Sequence, residues 1–122
     1  MLKLYFYCTI SRPYLAETYF IMYRLTGDKK YQDWAWELTQ AIYQHCETPS
    51  GGYSGLSDVN SVPALWNNFQ RPNFISGTLK FLYLIFADQS LFPLEGWIFN
   101  SQGHPLPVCG FSDQYTAKMC KL

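Results

Sequence analysis

The fold is decided by residues 13–46, which read PYLAETYFIMYRLTGDKKYQDWAWELTQAIYQHC. Pro13 suits the first position of a helix, and the apolar side chains that follow it recur at helical spacing. Gly27 is expected to end this helix, and Asp28 to cap a second helix from about Lys29 to Cys46. Because the connection between them is so short, this stretch predicts an αα-hairpin.

The second helix of this hairpin is amphipathic. Its apolar face carries Trp34, Leu38, Ala41 and Ile42, and its polar face carries Lys29, Asp33, Glu37 and Gln40. The apolar face predicts packing against the first helix, with the Trp34 ring in the core. Asp33 and Glu37 lie one turn apart opposite that face, which favours solvated surface charge over a pair of catalytic carboxylates.

A third helix is predicted from about Phe74 to Asp88. Its apolar residues lie nearly all round the helix, which indicates burial on more than one side; they are Ile75, Leu79, Phe81, Leu82, Leu84, Ile85 and Phe86. The longest apolar run, Phe81–Ala87, is far shorter than the roughly 20 residues that cross a bilayer. We therefore expect no membrane span, and the first ten residues lack the cleavage site of a signal peptide.

The other segments predict loops and one short hairpin. Glu47–Asn73 is rich in Gly, Pro, Ser and Asn, which predicts a long loop. In a compact domain, a loop of this length is functional, is disordered, or indicates that the assignment is wrong. Within it, Gly51–Gly55 lacks the Lys-Ser/Thr of a phosphate-binding loop and is interpreted as a turn. Trp97–Phe99 predicts a strand and Asn100–Gly103 a turn, so we expect a short terminal hairpin.

Composition narrows the class of protein. The 122 residues carry nine Lys and Arg against nine Asp and Glu, a net charge of zero that argues against binding nucleic acid. Hydrophobic residues make up 48% and charged residues 15%, which excludes a disordered chain. Aromatic residues reach 19%, more ring surface than a small core needs. Such rings fill the interior of something larger or line a site.

The cysteines and histidines form no recognisable metal or redox motif. The four cysteines include no CxxC pair, which argues against a zinc ribbon or a thioredoxin-like centre. His45 is adjacent to Cys46, and His104 lies five residues before Cys109, but neither spacing is typical of a metal or nucleophile site. A packing role or an exposed imidazole is favoured for these residues.

Two further residues are candidates for a site. Glu17 lies on the face of the first helix that should point inward, and a buried carboxylate needs a partner, for which Arg12 and Arg24 are available. The sequence leaves open whether Glu17 is structural or functional. Trp66, in the long loop, is open to packing or to stacking on a sugar ring.

Two long stretches resemble a known enzyme family. Residues 11–59, SRPYLAETYFIMYRLTGDKKYQDWAWELTQAIYQHCETPSGGYSGLSDV, and residues 77–107, GTLKFLYLIFADQSLFPLEGWIFNSQGHPLP, closely resemble the C-terminal part of glycoside hydrolase family 47. The resemblance runs in order from residue 11 to residue 107 and leaves 108–122 as a divergent tail. These class I α-1,2-mannosidases trim terminal mannose from N-glycans by a calcium-dependent, inverting mechanism.

This resemblance implies a fold and an environment. It implies that residues 1–122 form a single partial domain, all-α, and correspond to the C-terminal part of an (α/α)7 barrel. In that barrel the αα-hairpin and one further buried helix are followed by a short terminal β-hairpin whose turn binds calcium. The implied partner is a high-mannose N-glycan, and family members act in the ER and Golgi lumen.

The resemblance also assigns roles to residues near the start of the first helix. The family motif Arg-Pro-Glu, whose Glu is the base, reads Arg12-Pro13-Tyr14 here. A phenol stays protonated at neutral pH and does not replace a carboxylate as base. Arg12 matches the motif arginine and Glu17 matches a second family glutamate, so the resemblance implies that both bind substrate.

Each of two further family motifs has lost a glutamate in this chain. The family reads Phe-Phe-Leu-Ala-Glu-Thr-Leu-Lys where this chain reads NFISGTLK from Asn73, so a sugar-packing ring becomes Asn73 and a glutamate becomes Gly77. The hairpin turn reads Phe-Asn-Thr-Glu-Ala-His-Pro in the family. Here Ser101 keeps a hydroxyl and a carbonyl able to ligate calcium at the calcium position, whereas Gln102 replaces the neighbouring glutamate. Since calcium affinity depends on ligand charge, calcium binding by this chain is expected to be weakened or lost.

Three hypotheses about function follow. The first is a mannosidase-like fragment that is itself inactive, because Tyr14 stands at the base position and the segments that supply the general acid have no counterpart in these residues. The second is a non-catalytic module that binds a glycan or a protein partner through Arg12, Glu17 and the Trp66 loop. The third is a scaffold that folds only against a complementary barrel fragment.

Overall fold

The computed structural model describes residues 13–58, 61–63 and 65–111. Its helices are α1, α2, a π-helical segment and α3, and its strands form two antiparallel pairs. The helices span Tyr14–Thr26, Lys30–Cys46, Phe74–Leu79 (π-helical) and Lys80–Phe86. Strands β1 to β4 span Leu56–Asp58, Leu65–Trp66, Trp97–Phe99 and Pro105–Pro107. The prediction of a helix-rich chain is thus confirmed, with a few short strands added to it.

The αα-hairpin forms where the sequence predicts it. Gly27 has a positive φ of 69°, and its N–H donates to the carbonyl of Tyr23 at 2.8 Å, which ends α1. The carboxylate of Asp28 accepts the backbone N–H of Lys30 at 3.0 Å and pairs with the Lys30 ammonium at 2.7 Å. Gly27 therefore ends α1 and Asp28 binds the first backbone N–H of α2, as predicted, because both interactions are local.

The predicted core position of Trp34 is wrong. The Trp34 side chain is 41% exposed, and its ring contacts Tyr19 and Tyr31 at centroid distances of 5.8 and 5.5 Å. The buried stripe of α2 lies one residue further round and consists of Ala35, Leu38, Ile42 and Cys46. Because Ala35 is small and fully buried, α2 can approach its neighbours closely at this point, and the larger indole lies at the edge.

The third helix begins as a π-helix. Residues Phe74–Leu79 are π-helical and continue as an α-helix to Phe86, two residues short of the predicted end. Its buried residues are Phe74, Gly77, Thr78, Phe81, Leu82, Leu84 and Ile85, whereas Ile75, Tyr83 and Phe86 are exposed. Burial therefore covers most of the helix but leaves an apolar outer side.

The core is a cluster of aromatic and aliphatic side chains between the three helices and the terminal hairpin. The Phe20 ring of α1 lies 5.5 Å from that of Phe81 and 5.8 Å from that of Phe99, and the last two are 5.2 Å apart. Phe20 and Phe81 are almost completely buried. This triad ties α1, α3 and β3 together.

The segment predicted as one long loop contains regular pairing. Strands β1 and β2 pair antiparallel, with Leu56 opposite Trp66 and an irregularity before Asp58 pairs with Leu65. The pairing depends on residues far apart in an irregular segment, so it leaves no periodic pattern in the sequence. Upstream, Gly51 and Gly52 both have φ of 87°, in agreement with the predicted turn.

The terminal hairpin is confirmed. Strand β3 pairs antiparallel with β4, with Trp97 opposite Pro107 and Phe99 opposite Pro105.

Cys46 is a buried thiol and Cys109 is disulfide-bonded, which places the first in a packing role. Among the helices of the described ranges, none is long and apolar enough to cross a membrane.

Candidate functional site

Three segments that are distant in sequence meet at one end of the molecule. A Cβ built on Gly77 of the π-helix would overlap the Cβ of Pro13 and lie 3.0 Å from its Cγ. A Cβ on Gly103 of the hairpin turn would overlap the carbonyl oxygen of Ser76 and lie 3.4 Å from the Gly77 Cα. The start of α1, the π-helix and the hairpin turn are therefore in van der Waals contact. We call this region the site end, defined by Pro13, Gly77 and Gly103.

Tyr14 lies in the first turn of α1, next to Pro13. Its side chain is 58% exposed, and its carbonyl accepts a hydrogen bond from the Thr18 hydroxyl at 2.7 Å. The residue that stands at the base position of the resembled family is therefore a phenol open to solvent. Arg12, predicted to bind substrate beside it, lies outside the described residues.

Glu17 is half-buried one turn further along α1. Its backbone N–H donates to the Pro13 carbonyl at 3.0 Å, which closes the first turn of the helix. Burial raises the pKa of its carboxyl above the ordinary value of 4.5, because the charged form loses solvation. Within the described ranges no hydrogen bond or ion pair reaches this carboxylate. Glu17 is therefore a half-buried carboxylate whose charged form is disfavoured by burial.

Arg24 was one of two arginines available as a partner for Glu17, but the structure gives it other partners. Its guanidinium donates to main-chain carbonyls that end α3 and begin the next loop. These are the carbonyls of Leu84 at 3.1 Å, Asp88 at 3.3 Å and Leu91 at 3.3 Å, together with that of Gln89. A planar, five-donor group is suited to such a cluster, so Arg24 has a structural role at the C-terminal end of α3.

An open pocket of about 410 Å³ lies beside the hairpin turn. It brings together Asn73 and Gln102, the two amides that stand where the resembled family has a sugar-packing ring and a glutamate. The remaining lining residues are Phe69, Arg71 and Pro72. None of the five is acidic, so the pocket offers an aromatic face, two amides and one guanidinium.

The loop that forms one wall of this pocket is held by hydrogen bonds to its neighbours. The Gln70 side-chain carbonyl accepts the N–H of Tyr53 at 3.0 Å, and the Phe69 carbonyl accepts the N–H of Gly55 at 3.2 Å. The Arg71 carbonyl accepts the N–H of Phe74 at 3.0 Å, where the third helix begins. The positions of Phe69 and Arg71 are therefore set by a bonded framework rather than by an independent loop.

The hairpin turn is organised by one side chain. The side-chain oxygen of Asn100 accepts the backbone N–H groups of Gln102 and His104, both at 2.9 Å. The Lys80 ammonium donates to the Gly103 carbonyl at 2.7 Å, which ties the turn to α3 and brings a positive charge to it. Ser101 and Gln102 remain exposed at the tip.

The donors at this turn do not fit a calcium ion. Calcium sites in proteins combine six to eight oxygens, usually with several carboxylates. Here Ser101 offers a hydroxyl, Gln102 an uncharged amide and Gly77 no side chain, while the Lys80 ammonium already contacts one carbonyl. Elsewhere among the described residues, no cluster of three or more His, Cys, Asp or Glu side chains could hold a metal.

Sequence reasoning missed part of the pocket. It singled out Trp66 as the ring open to a ligand, but the Trp66 indole N–H donates to the His45 carbonyl at 3.0 Å and the residue does not line the pocket. The ring that does line it is Phe69. A run of polar and aromatic residues just before the third helix was the available signal, but only the tertiary structure shows that it faces Gln102.

Comparison with known proteins gives one family throughout. The model of glycosyl hydrolase family 47 matches residues 4–108. Mannosyl-oligosaccharide 1,2-alpha-mannosidase IA of Sus scrofa is 52% identical over 99 residues, which is 81% of this chain and 15% of that protein. The IA enzyme of Drosophila melanogaster is 44% identical over 106 residues, 87% of this chain and 16% of that protein. The IB enzyme of Homo sapiens is 43% identical over 99 residues, which is 81% of this chain and 15% of that protein. The chain therefore spans about a sixth of the length of these relatives.

Proposed function

This chain belongs to glycosyl hydrolase family 47, and we propose that it is the C-terminal segment of such a fold with no hydrolytic activity of its own. The observation that carries this proposal is the site end. There the positions that the family resemblance marks as acidic are a phenol, a glycine and an amide, namely Tyr14, Gly77 and Gln102.

Inverting hydrolysis needs two carboxyl groups placed on opposite sides of the scissile bond, one as acid and one as base. Tyr14 is exposed and carries no carboxylate. A Cβ at position 77 would overlap Pro13 in this structure, so a carboxylate there also requires the start of α1 to shift. Restoring one carboxylate alone therefore does not rebuild the site.

The fate of the calcium ion supports the same proposal. By the resemblance, the family's calcium would lie at the hairpin turn, where Ser101 offers uncharged oxygens and Gln102 an amide. The absence of carboxylates there disfavours a divalent cation. We propose that the turn does not bind calcium at millimolar concentrations.

Exposed aromatic side chains support the partial-barrel interpretation. The outward faces of α2 and α3 present Trp36, Tyr43, Tyr83 and Phe86 to solvent, and the Trp36 and Phe86 rings meet edge to face at 6.1 Å. A face of this kind is typical of helices that pack against further helices. We propose that these faces meet the other helices of an (α/α)7 barrel, or a complementary fragment of one.

An assay with α-1,2-mannobiose tests the absence of activity. The purified chain is incubated with the disaccharide in the presence of calcium and, separately, of a chelator, with the Sus scrofa enzyme as the positive control. We expect no mannose release above the blank in either condition. Calcium-dependent release that the chelator abolishes would contradict the proposal, and saturable calcium binding seen by calorimetry would contradict its metal part.

A second candidate function is non-catalytic binding of a glycan. It is favoured by the pocket beside the hairpin turn, in which the half-exposed Phe69 ring and the amides of Asn73 and Gln102 face one space. Aromatic faces pack against sugar rings, and amides bond to hydroxyl groups. Calorimetry with a high-mannose glycan tests it: we expect weak, saturable binding that Phe69→Ala reduces. A flat titration would remove this candidate.

The cellular compartment is a further proposal. Cys109 is disulfide-bonded, and disulfides persist in oxidising compartments such as the ER and Golgi lumen where family members act. We expect alkylation of the unreduced protein, followed by mass spectrometry, to leave Cys109 unmodified. Complete alkylation of Cys109 without reductant, in protein taken from cells, would contradict a lumenal location.

A further inference from the structure

We propose that the pocket beside the hairpin turn binds a sugar that carries an oxyanion, either a phosphate or a carboxylate. This inference rests on the second candidate function and names its ligand class. It follows from the charges, the aromatic face and the size of the pocket rather than from the family's own substrate, which is uncharged.

The charge of the pocket is positive. Its five lining residues include the guanidinium of Arg71 and no carboxylate. An anion in the pocket therefore meets no lining carboxylate and is attracted by the Arg71 guanidinium.

The guanidinium of Arg71 is available to a ligand. Among the described residues no side-chain hydrogen bond or ion pair engages it, and its carbon lies 5.9 Å from the centroid of the Phe69 ring. A guanidinium offers a planar fork of N–H donors that matches two oxygens of a phosphate or carboxylate. The contact with the ring holds the cation next to the surface on which a sugar would lie.

The rest of the pocket suits the uncharged part of such a ligand. The Phe69 side chain is 56% exposed, so its ring is accessible to a pyranose ring. The amides of Asn73 and Gln102 can donate to and accept from sugar hydroxyls. A volume of about 410 Å³ lies within the range of small-molecule sites and accommodates one sugar with its substituent.

The test is a set of titrations of the full chain at low salt, followed by NMR or calorimetry. The ligands are mannose, mannose 6-phosphate, glucuronate and inorganic phosphate. We expect mannose 6-phosphate or glucuronate to bind about tenfold more tightly than mannose and inorganic phosphate, because a charge-assisted hydrogen bond adds to the ring contact. The tighter of the two charged sugars identifies the oxyanion.

Two variants with the same charge change separate the pocket from the net charge. Arg71→Gln is expected to weaken binding of the charged sugar about tenfold, since it removes the bidentate donor. Lys29→Gln is the matched control: it removes one positive charge at the far end of α1, where Lys29 is exposed, and should change the affinity less than twofold. Circular dichroism checks that both variants are folded.

Four results would overturn the inference. Equal losses in Arg71→Gln and Lys29→Gln would show a net-charge effect, and inorganic phosphate binding as tightly as the charged sugars, with no effect of Phe69→Ala, would show an adventitious ion only. Binding of mannose or high-mannose glycan but not of charged sugars would overturn this inference and leave glycan binding intact. No binding by any of these ligands would overturn both.

Discussion

The core and the site end of this chain differ in what they retain. The core keeps its aromatic packing, with Phe20, Phe81 and Phe99 in contact across α1, α3 and β3. The site end keeps the approach of three segments but carries no carboxylate at Tyr14 or Gly77. Packing is distributed over many contacts of similar kind, whereas catalysis depends on a few charged groups. The two regions therefore depend on different properties, the core on packed volume and the site end on the type of residue at a few positions.

The site end is also closely packed at Gly77. Gly77 has no side chain, and Pro13 occupies the space that a Cβ would need. The two regions should therefore respond differently to mutation: the core to loss of volume, the site end to gain of volume. Four predictions, from the largest expected effect to the smallest, test this difference.

Removing a core ring should have the largest effect. Phe20→Ala deletes a fully buried ring that contacts two others, and we expect it to lower the free energy of unfolding by about 3–5 kcal/mol. Urea denaturation measures the change. Tyr83→Ala, at a position 68% exposed on α3, is the control and should cost less than about 0.5 kcal/mol. Similar losses in the two variants would mean that the core is not where we place it.

Adding a methyl group at the site end should come next. Gly77→Ala forces a Cβ onto Pro13, and we expect a cost of about 1–3 kcal/mol from overpacking. Without that contact the same change would stabilise the helix, since alanine is the better helix former by about 1 kcal/mol.

A double-mutant cycle isolates the clash. In a Pro13→Gly background the obstructing ring and Cβ are absent, so Gly77→Ala should become neutral or stabilising when unfolding is measured in urea. If the cost of Gly77→Ala is the same in both backgrounds, the start of α1 does not close the site end.

The Arg24 cluster lies at the opposite end of α1 from the site end and should have an intermediate effect. Arg24→Gln removes hydrogen bonds to the carbonyls of Leu84, Asp88 and Leu91, and we expect a loss of about 1–2 kcal/mol because the guanidinium is only partly buried. Arg24→Lys keeps the charge but not the planar fork and should recover less than half of the loss. Full recovery in Arg24→Lys would show that charge, not geometry, is what matters there.

The smallest expected effect is a pH dependence from Glu17. Burial raises the pKa of this carboxyl in the folded protein, so the folded state binds a proton more readily than the unfolded state. The resulting penalty is absent below the unfolded value near 4.5 and grows as the pH rises through the folded pKa. Glu17→Gln should therefore flatten the fall in stability between about pH 4.5 and neutrality.

Asp28 gives the opposite sign and serves as the comparison for Glu17. The hydrogen bonds from Lys30 lower the pKa of the Asp28 carboxyl, so its contribution is present above the unfolded value and disappears as the pH falls through the folded one. Asp28→Asn should remove that acid-side loss. Unfolding is measured in both variants from below the unfolded Asp28 value near 3.8 up to neutrality, because Asp28→Asn changes the slope only at the acid end and Glu17→Gln only above about pH 4.5. Changes of slope of the same sign in the two variants would contradict our account of Glu17.

Much of the fold could be predicted because it depends on neighbours in sequence. The end of α1 follows from the positive φ of Gly27, and the start of α2 follows from Asp28, whose carboxylate accepts the N–H of Lys30. The terminal hairpin follows from its strand and turn residues. The exposure of Trp34 could not be predicted, since it depends on how closely Ala35 lets the helices approach. The β1–β2 pairing was missed for the same kind of reason.

The candidate site divides in the same way. The loss of carboxylates was visible in the sequence, because residue type at Tyr14, Gly77 and Gln102 can be read directly. The pocket was not, because it forms only where the loop that carries Phe69 and Arg71 lies beside Gln102 of the hairpin turn, two segments far apart in the chain. Trp66, the more conspicuous aromatic residue, donates its N–H to α2 instead.

The sequence by itself determined which chemical groups this chain possesses, where α1 ends and where α2 begins, since these are local properties of residues and their neighbours. Only the tertiary structure decided that Pro13, Gly77 and Gly103 meet, and that a guanidinium and an aromatic ring line the space beside them. Such contacts depend on close packing between distant segments, in which a single Cβ decides whether two backbones can touch.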